Sequence, residues 1–98
     1  LNRFAAFPAS AVFDKRLSPR DLTVLAAIGV HTDEHGWCYP SLSRLGEILG
    51  VTRQAVQKSV RVLVGNRYLD VRHRYRADGS QDTNAIHVLD APMEGRLP

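Results

Sequence analysis

Apolar side chains recur along the first two thirds of the chain in steps of three and four, which predicts three closely spaced helices. Leu22, Leu25, Ala26 and Ile28 to Gly29 form the face of the first. Ser18 is placed to cap it, Pro19 suits the first helical position, and Asp21 favours the amide-rich first turn and completes a capping box. This helix is expected to end near His31. Leu42, Leu45, Ile48 and Leu49 mark a second helix after Pro40, capped by Ser41 and ended by Gly50. Thr52 caps a third, whose Val56, Val60 and Leu63 fall at spacings of four and three, and Gly65-Asn66 is expected to stop it. The expected core is Leu22, Leu25, Leu45, Leu49, Val56, Val60 and Leu63.

Beyond Asn66 the period changes to two. Tyr68 to Arg76 reads as an extended strand, 77–82 as a polar turn, and Thr83 to Leu89 as a returning strand with Ile86 and Val88 on one face and His87 on the other. Trp37-Cys38-Tyr39 is a further short strand, after a turn over 32–36. Residues 1–13, interrupted by Pro8, form an irregular or strand-like N-terminal arm whose Phe4, Phe7 and Phe13 either close the core or pair with a second copy. Residues 90–98 form a tail. The expected organisation is an arm over 1–13, an α+β domain over 14–89 made of a three-helix bundle and a C-terminal β-hairpin, and the tail.

Ninety-eight residues, 44% of them apolar, suffice for one core. No apolar run approaches the ~20 residues of a membrane span, and the start at Leu1 does not resemble a secretory signal. The single Cys38 allows no intramolecular disulfide and suits a reducing, cytoplasmic setting.

Charge changes the picture more. The net value of +3 conceals a block over 51–76 in which Arg53, Lys58, Arg61, Arg67, Arg72, Arg74 and Arg76 face Asp70 alone. Such a block raises the local potential and favours a polyanion, although a solvated basic face has the same composition.

Two helices joined by a tight turn set the second across the first, with its N-terminal half free to enter a major groove about 12 Å wide. Arg53, Gln54 and Gln57 are the candidate base readers, because arginine bonds guanine and glutamine bonds adenine bidentately. Ser41, Thr52, Lys58 and Arg61 are candidates for the DNA backbone, with Thr52 also serving as a helix cap. In the strand, alternation places Arg72, Arg74 and Arg76 on one face, suited to sugar-phosphate or minor-groove contact.

These segments together resemble the winged helix-turn-helix domains of bacterial, phage and plasmid DNA-binding proteins, nearest to those of replication initiators and small phage or prophage regulators. The resemblance covers roughly residues 13–89. It is carried by Leu17-Ser18, Gly36-Trp37, Pro40-Ser41, Leu45-Gly46, the run Leu49-Gly50-Val51-Thr52-Arg53-Gln54-Ala55-Val56, Leu63, Gly65, Tyr68-Leu69 and the turn into Thr83-Asn84. It implies that the third helix enters the major groove and that Arg72 to Asn84 form the wing. Transcription regulation or replication-origin recognition on double-stranded DNA is the function it implies, with a homodimer or the other domains of a larger replication protein as partners. Gly46 stands where such domains often carry alanine, an exchange expected to loosen the second helix. The alternative is a winged helix used as a protein-interaction module.

Catalytic chemistry is not suggested. There is no phosphate-loop glycine pattern and no cysteine pair, and neither an enzyme, a cofactor nor a metal is expected. His31, His35 and Cys38 are too loosely spaced for a zinc site. With a tip at Gly79-Ser80, His73 and His87 would form a cross-strand packing pair. Asp14, Asp33 and Glu34 form no partnered set.

Overall fold

A reciprocal pair of hydrogen bonds opens the first helix. The Asp21 N–H donates to Ser18 Oγ at 3.1 Å, and the Ser18 N–H donates to Asp21 Oδ2 at 2.9 Å. These bonds satisfy amides that the helix itself leaves unpaired. The computed structural model describes residues 7–80 and 84–89. In it α1 runs Pro19–Val30 and buries Val24, Leu25 and Ile28, while Leu22 is only partly covered. The apolar face is therefore centred nearer Val24 than Leu22.

Helix α2 spans Leu42–Leu49, with Ser41 Oγ accepting from the Arg44 N–H at 3.3 Å. Gly50 takes a left-handed φ of 72°, so the chain reverses and the Val51 N–H donates back to the Gly46 carbonyl at 2.9 Å. Gly46 corrects the expectation of a loosened helix. It is buried, and a Cβ there would lie 2.7 Å from the Val51 carbonyl oxygen. The missing side chain is what lets the turn close on the helix. Ile48 is a second correction: it is 52% exposed, because Leu45 with partly covered Leu42 and Leu49 makes the packed face.

Helix α3 spans Arg53–Gly65, and Thr52 Oγ1 accepts from the Ala55 N–H at 3.0 Å. Val56, Val60 and Leu63 enter the core. Fully buried Ser59 accepts from Arg20 Nε at 3.2 Å, tying α3 to α1 through a satisfied polar contact. Gly65 does not end the helix as expected. It remains helical, and Arg67 adopts the left-handed conformation, at φ 66°. The Tyr68 N–H then reaches the Leu63 carbonyl at 2.9 Å, which brings Tyr68 and Leu69 into the core. A left-handed non-glycine residue costs about 1 kcal/mol or somewhat more. Arg67→Gly is accordingly expected to raise stability by about 0.5–1 kcal/mol in urea unfolding. An unchanged or lower midpoint would mean that the arginine side chain offsets the strain.

Three antiparallel strands complete the fold: β1 (Trp37–Cys38), β2 (Leu69–Arg72) and β3 (Ala85–Val88), in the order β1-β3-β2. The hairpin thus has a third strand inserted from between α1 and α2. Leu69 lies opposite Val88 and Arg72 opposite Ala85. The continuous ladder runs to Arg72 and a single further bridge falls at Tyr75, so the strand is interrupted at 73–74 where the alternation through Arg76 predicts it unbroken. The expected beginning of the return strand at Thr83 lies outside the described residues. The register also separates the expected histidine pair: His87 faces Asp70 on one side and stacks on Trp37 on the other (centroids 4.6 Å apart), whereas His73 contacts Asn84 Oδ1 at 3.2 Å.

Ahead of α1, Ala9–Phe13 forms a short 3-10 helix in place of the irregular or strand-like arm. Ala11 is fully buried and Phe7 packs against the core, while Phe13 is 53% exposed. Phe4 lies outside the described residues. Asp14 then joins this end of the chain to the start of β2. Its carboxylate accepts from Arg16 at 2.7 and 2.9 Å and from the Tyr68 hydroxyl at 2.7 Å. The Arg16 guanidinium first, and Tyr68 after it, hold Asp14 well below the usual carboxylate range despite its partial burial. A depressed native pKa means stability that is fully present above the unfolded value of about 4 and is lost as pH falls toward the native one. The stability gap between the protein and Asp14→Asn, followed by urea unfolding, is expected to be constant above about pH 5 and to narrow below about pH 4. A gap that stays constant to about pH 3 would remove Asp14 as the cause.

Candidate nucleic-acid interface

The outward side of α3 is set by what its inward side must do. With Val56, Ser59, Val60 and Leu63 buried, the remaining turns present Arg53, Gln54, Lys58 and Arg61 to solvent, with Gln57 half-covered beside them. Arg53, Gln57 and Arg61 follow one another at steps of four, and Gln54 and Lys58 form the adjoining row. From Arg53 to Arg61 the rows extend about 12 Å along the axis, at 1.5 Å per residue. None of the five makes a side-chain hydrogen bond or ion pair within the described residues. Their side chains carry about seventeen N–H hydrogens between them, none of them bonded within the described residues.

Local folding does not favour this charge. The first turn of α3 contains no acidic residue and begins with Arg53, the reverse of what the positive end of a helix dipole prefers. Thr52 and Ser41 stand at the starts of α3 and α2. Each hydroxyl oxygen is occupied as a cap, which leaves its O–H as a donor.

The wing arginines do not form the single row that alternation implied. Arg72 Nε donates to Asp70 Oδ2 at 2.9 Å, so part of its charge is balanced on the same face of β2. Arg74, in the gap between the ladder and the bridge at Tyr75, has its guanidinium carbon 4.6 Å from the centre of the Tyr39 ring, in the segment after β1. Arg76 begins the tip, its N–H donating to the Ser80 carbonyl at 2.7 Å. Asp78 Oδ1 is held there by the Ser80 N–H and hydroxyl, which keeps its carboxyl below the usual range. Tyr39 was not singled out from the sequence: it lies 35 positions before Arg74, and no local pattern joins them.

A family profile described as a helix-turn-helix domain matches residues 15–69, more than half of the chain. The chain belongs to the helix-turn-helix domain family. The match takes in all three helices and ends where β2 begins, so the wing of this helix-turn-helix protein is evident from its strand pairing. The search of curated proteins and the search of solved structures each return no match.

The other polar groups have local roles. Asp33 Oδ1 accepts from the His35 and Trp37 N–H groups at 2.9 and 3.0 Å, which lowers its pKa and shapes the turn into β1. Burial raises the Cys38 thiol to about 11, so it stays protonated near neutral pH. Among the described residues no group of three or more His, Cys, Asp or Glu could hold a metal, and no helix is long and apolar enough to cross a membrane.

Proposed function

We propose that this helix-turn-helix protein binds double-stranded DNA sequence-specifically, in transcription regulation or replication-origin recognition. The observation that carries the proposal is the outward face of α3, basic and amide-bearing, without acidic residues, and unpartnered within the described residues. Arg53, Gln54 and Gln57 read base edges in the major groove, while Lys58 and Arg61 neutralise phosphates beside it. Thr52 and Ser41 donate hydroxyl protons to the backbone, and Arg72, Arg74 and Arg76 hold the wing against it. Residues 14–89 act as the binding unit, with 1–13 as an arm and 90–98 as a tail. Pairing of two copies on a palindrome would double the contact set, and a larger replication protein is the other setting that suits a single module. Either setting is cytoplasmic.

The test is a salt titration of duplex binding. With about four phosphates neutralised per copy, the log–log slope is expected near −4, a loss of roughly 250-fold between ~50 and ~200 mM salt. A flat profile would refute groove binding. It would favour a protein-interaction module, a reading supported by the apolar hollow of about 400 Å³ beside α2, lined by Tyr39, Pro40, Leu45 and Ile48 among others.

A further inference from the structure

We propose that Arg20 is a further contact to the DNA backbone, and that buried Ser59 is the residue that positions it beside α3. This inference deepens the DNA-binding reading above and rests on it. It starts from a polar residue in an apolar seam. Ser59 is fully buried on α3, beside Val56, Val60 and Leu63. Alanine would suit that position better on helix propensity and burial alone. The one side-chain hydrogen bond that Ser59 makes within the described residues comes from Arg20 Nε, at 3.2 Å. The hydroxyl therefore serves a residue of another helix.

Arg20 is exposed and commits only part of its guanidinium to this bond. Its two terminal nitrogens make no hydrogen bond or ion pair within the described residues. With Nε held, the edge formed by those nitrogens remains for a bidentate pair with phosphate oxygens. The bond also decides where that edge lies. Ser59 borders the buried stripe of α3 on its Lys58 side: the next positions round the helix are half-covered Ala55 and Val62, then exposed Lys58. A guanidinium seated on Ser59 therefore continues onto α1 the row assigned above to phosphates. Acidic groups of these two helices do not oppose it. α3 has none, and Asp21, the only acid of α1, is buried with Oδ2 accepting from the Ser18 N–H.

The experiment measures duplex affinity against salt for the full chain and for Arg20→Ala, Ser59→Ala and the Arg20→Ala/Ser59→Ala pair. Arg20→Ala is expected to make the log–log slope about 0.9 shallower and to bind roughly eightfold more weakly at ~0.1 M salt. Preferred and random duplexes should suffer alike, as for any phosphate contact. Ser59→Ala keeps the charge but frees the side chain, so about threefold weaker binding is expected, the scale of ordering one long side chain. The double variant is expected to bind like Arg20→Ala alone. Melting of each variant confirms that it is folded at the temperature of the titration. Arg20→Gln removes the charge with less loss of side chain and carries the same expected slope, should Arg20→Ala fold poorly.

A tie that only held α1 to α3 would lower the melting temperature of the variants and leave the salt slope of the folded protein as it was. That result would overturn the proposal. So would additive losses in the double variant, because Ser59 would then act on DNA independently of Arg20, or a Ser59→Ala protein with the parental affinity. In those cases the parent still binds duplex with a steep salt slope, and only the roles of Arg20 and Ser59 fall. A parent that fails to bind duplex at all overturns both readings together.

Discussion

Gly46→Ala is expected to destabilise the domain by about 2 kcal/mol, even though alanine is the better helix former by about 1 kcal/mol. The two effects act in different places. Propensity concerns the backbone of α2 itself, which gains from the exchange. Packing concerns the turn that folds back upon it, where a Cβ would lie 2.7 Å from the Val51 carbonyl oxygen, 3.3 Å from the Thr52 carbonyl carbon and 3.4 Å from the Arg53 nitrogen. All three are backbone atoms, which cannot move aside by changing rotamer. The added methyl must push the whole turn away, stretching the hydrogen bond from Val51 to Gly46 and displacing the N-terminus of α3. Urea unfolding measures the cost, with Ser43→Ala on the exposed side of α2 as the control for propensity. A variant as stable as the parent would show that the turn relaxes without loss. DNA affinity is expected to fall with stability here, because the displaced residues begin the helix proposed to read the groove.

Replacing Lys58 and Arg61 together by alanine should leave the fold intact and weaken DNA binding about 50-fold at ~0.1 M salt. Both side chains are exposed and make no ion pair among the described residues, so folding loses little. Two fewer neutralised phosphates should reduce the salt slope by nearly two, so that the deficit shrinks steadily toward ~1 M salt. Preferred and random duplexes are expected to suffer alike. Arg53→Ala or Gln57→Ala should behave differently, costing about 1–3 kcal/mol on the preferred site and little on random DNA. A loss confined to the preferred duplex in the Lys58/Arg61 variant would exchange the roles assigned to the two rows.

The helices were legible in the sequence because their determinants are local. Ser18 with Asp21, Ser41, Thr52 and Gly50 each act within a turn of the chain, and their cap geometry follows from residue type and spacing. Leu25, Leu45, Val56, Val60 and Leu63 were legible as core for the same reason. Long-range choices were not. Alternation through Arg76 tells which side chains share a face, but carries no information on where the partner strand ends. Gly65 looked like the natural stop for α3, yet the burial of Tyr68 and Leu69 moved the left-handed residue to Arg67. Ile48 obeyed the helical period and still faces outward, because an eight-residue helix packs only part of its apolar stripe. At the candidate interface, the helical period was enough to place Arg53, Gln54, Lys58 and Arg61 on the outward side of α3. It missed the Asp70 partner of Arg72 and the Tyr39 ring beneath Arg74, both contacts between side chains of the sheet region.

The strand at the centre of the sheet is also the last to be synthesised. β1 and β2 each pair with β3 and not with each other, so neither has its ladder until residues 85–88 exist. A nascent chain ending before Ala85 therefore contains every helix of the domain and none of these strand pairs. Joining Trp37 to His87 closes a loop of about fifty residues, whose entropic cost rises only with the logarithm of its length. The helices are complete by Gly65, and their contacts with one another do not require the hairpin's partner strand. On the ribosome, the part of the domain proposed to read bases is therefore finished before the part proposed to grip the backbone has a sheet to belong to.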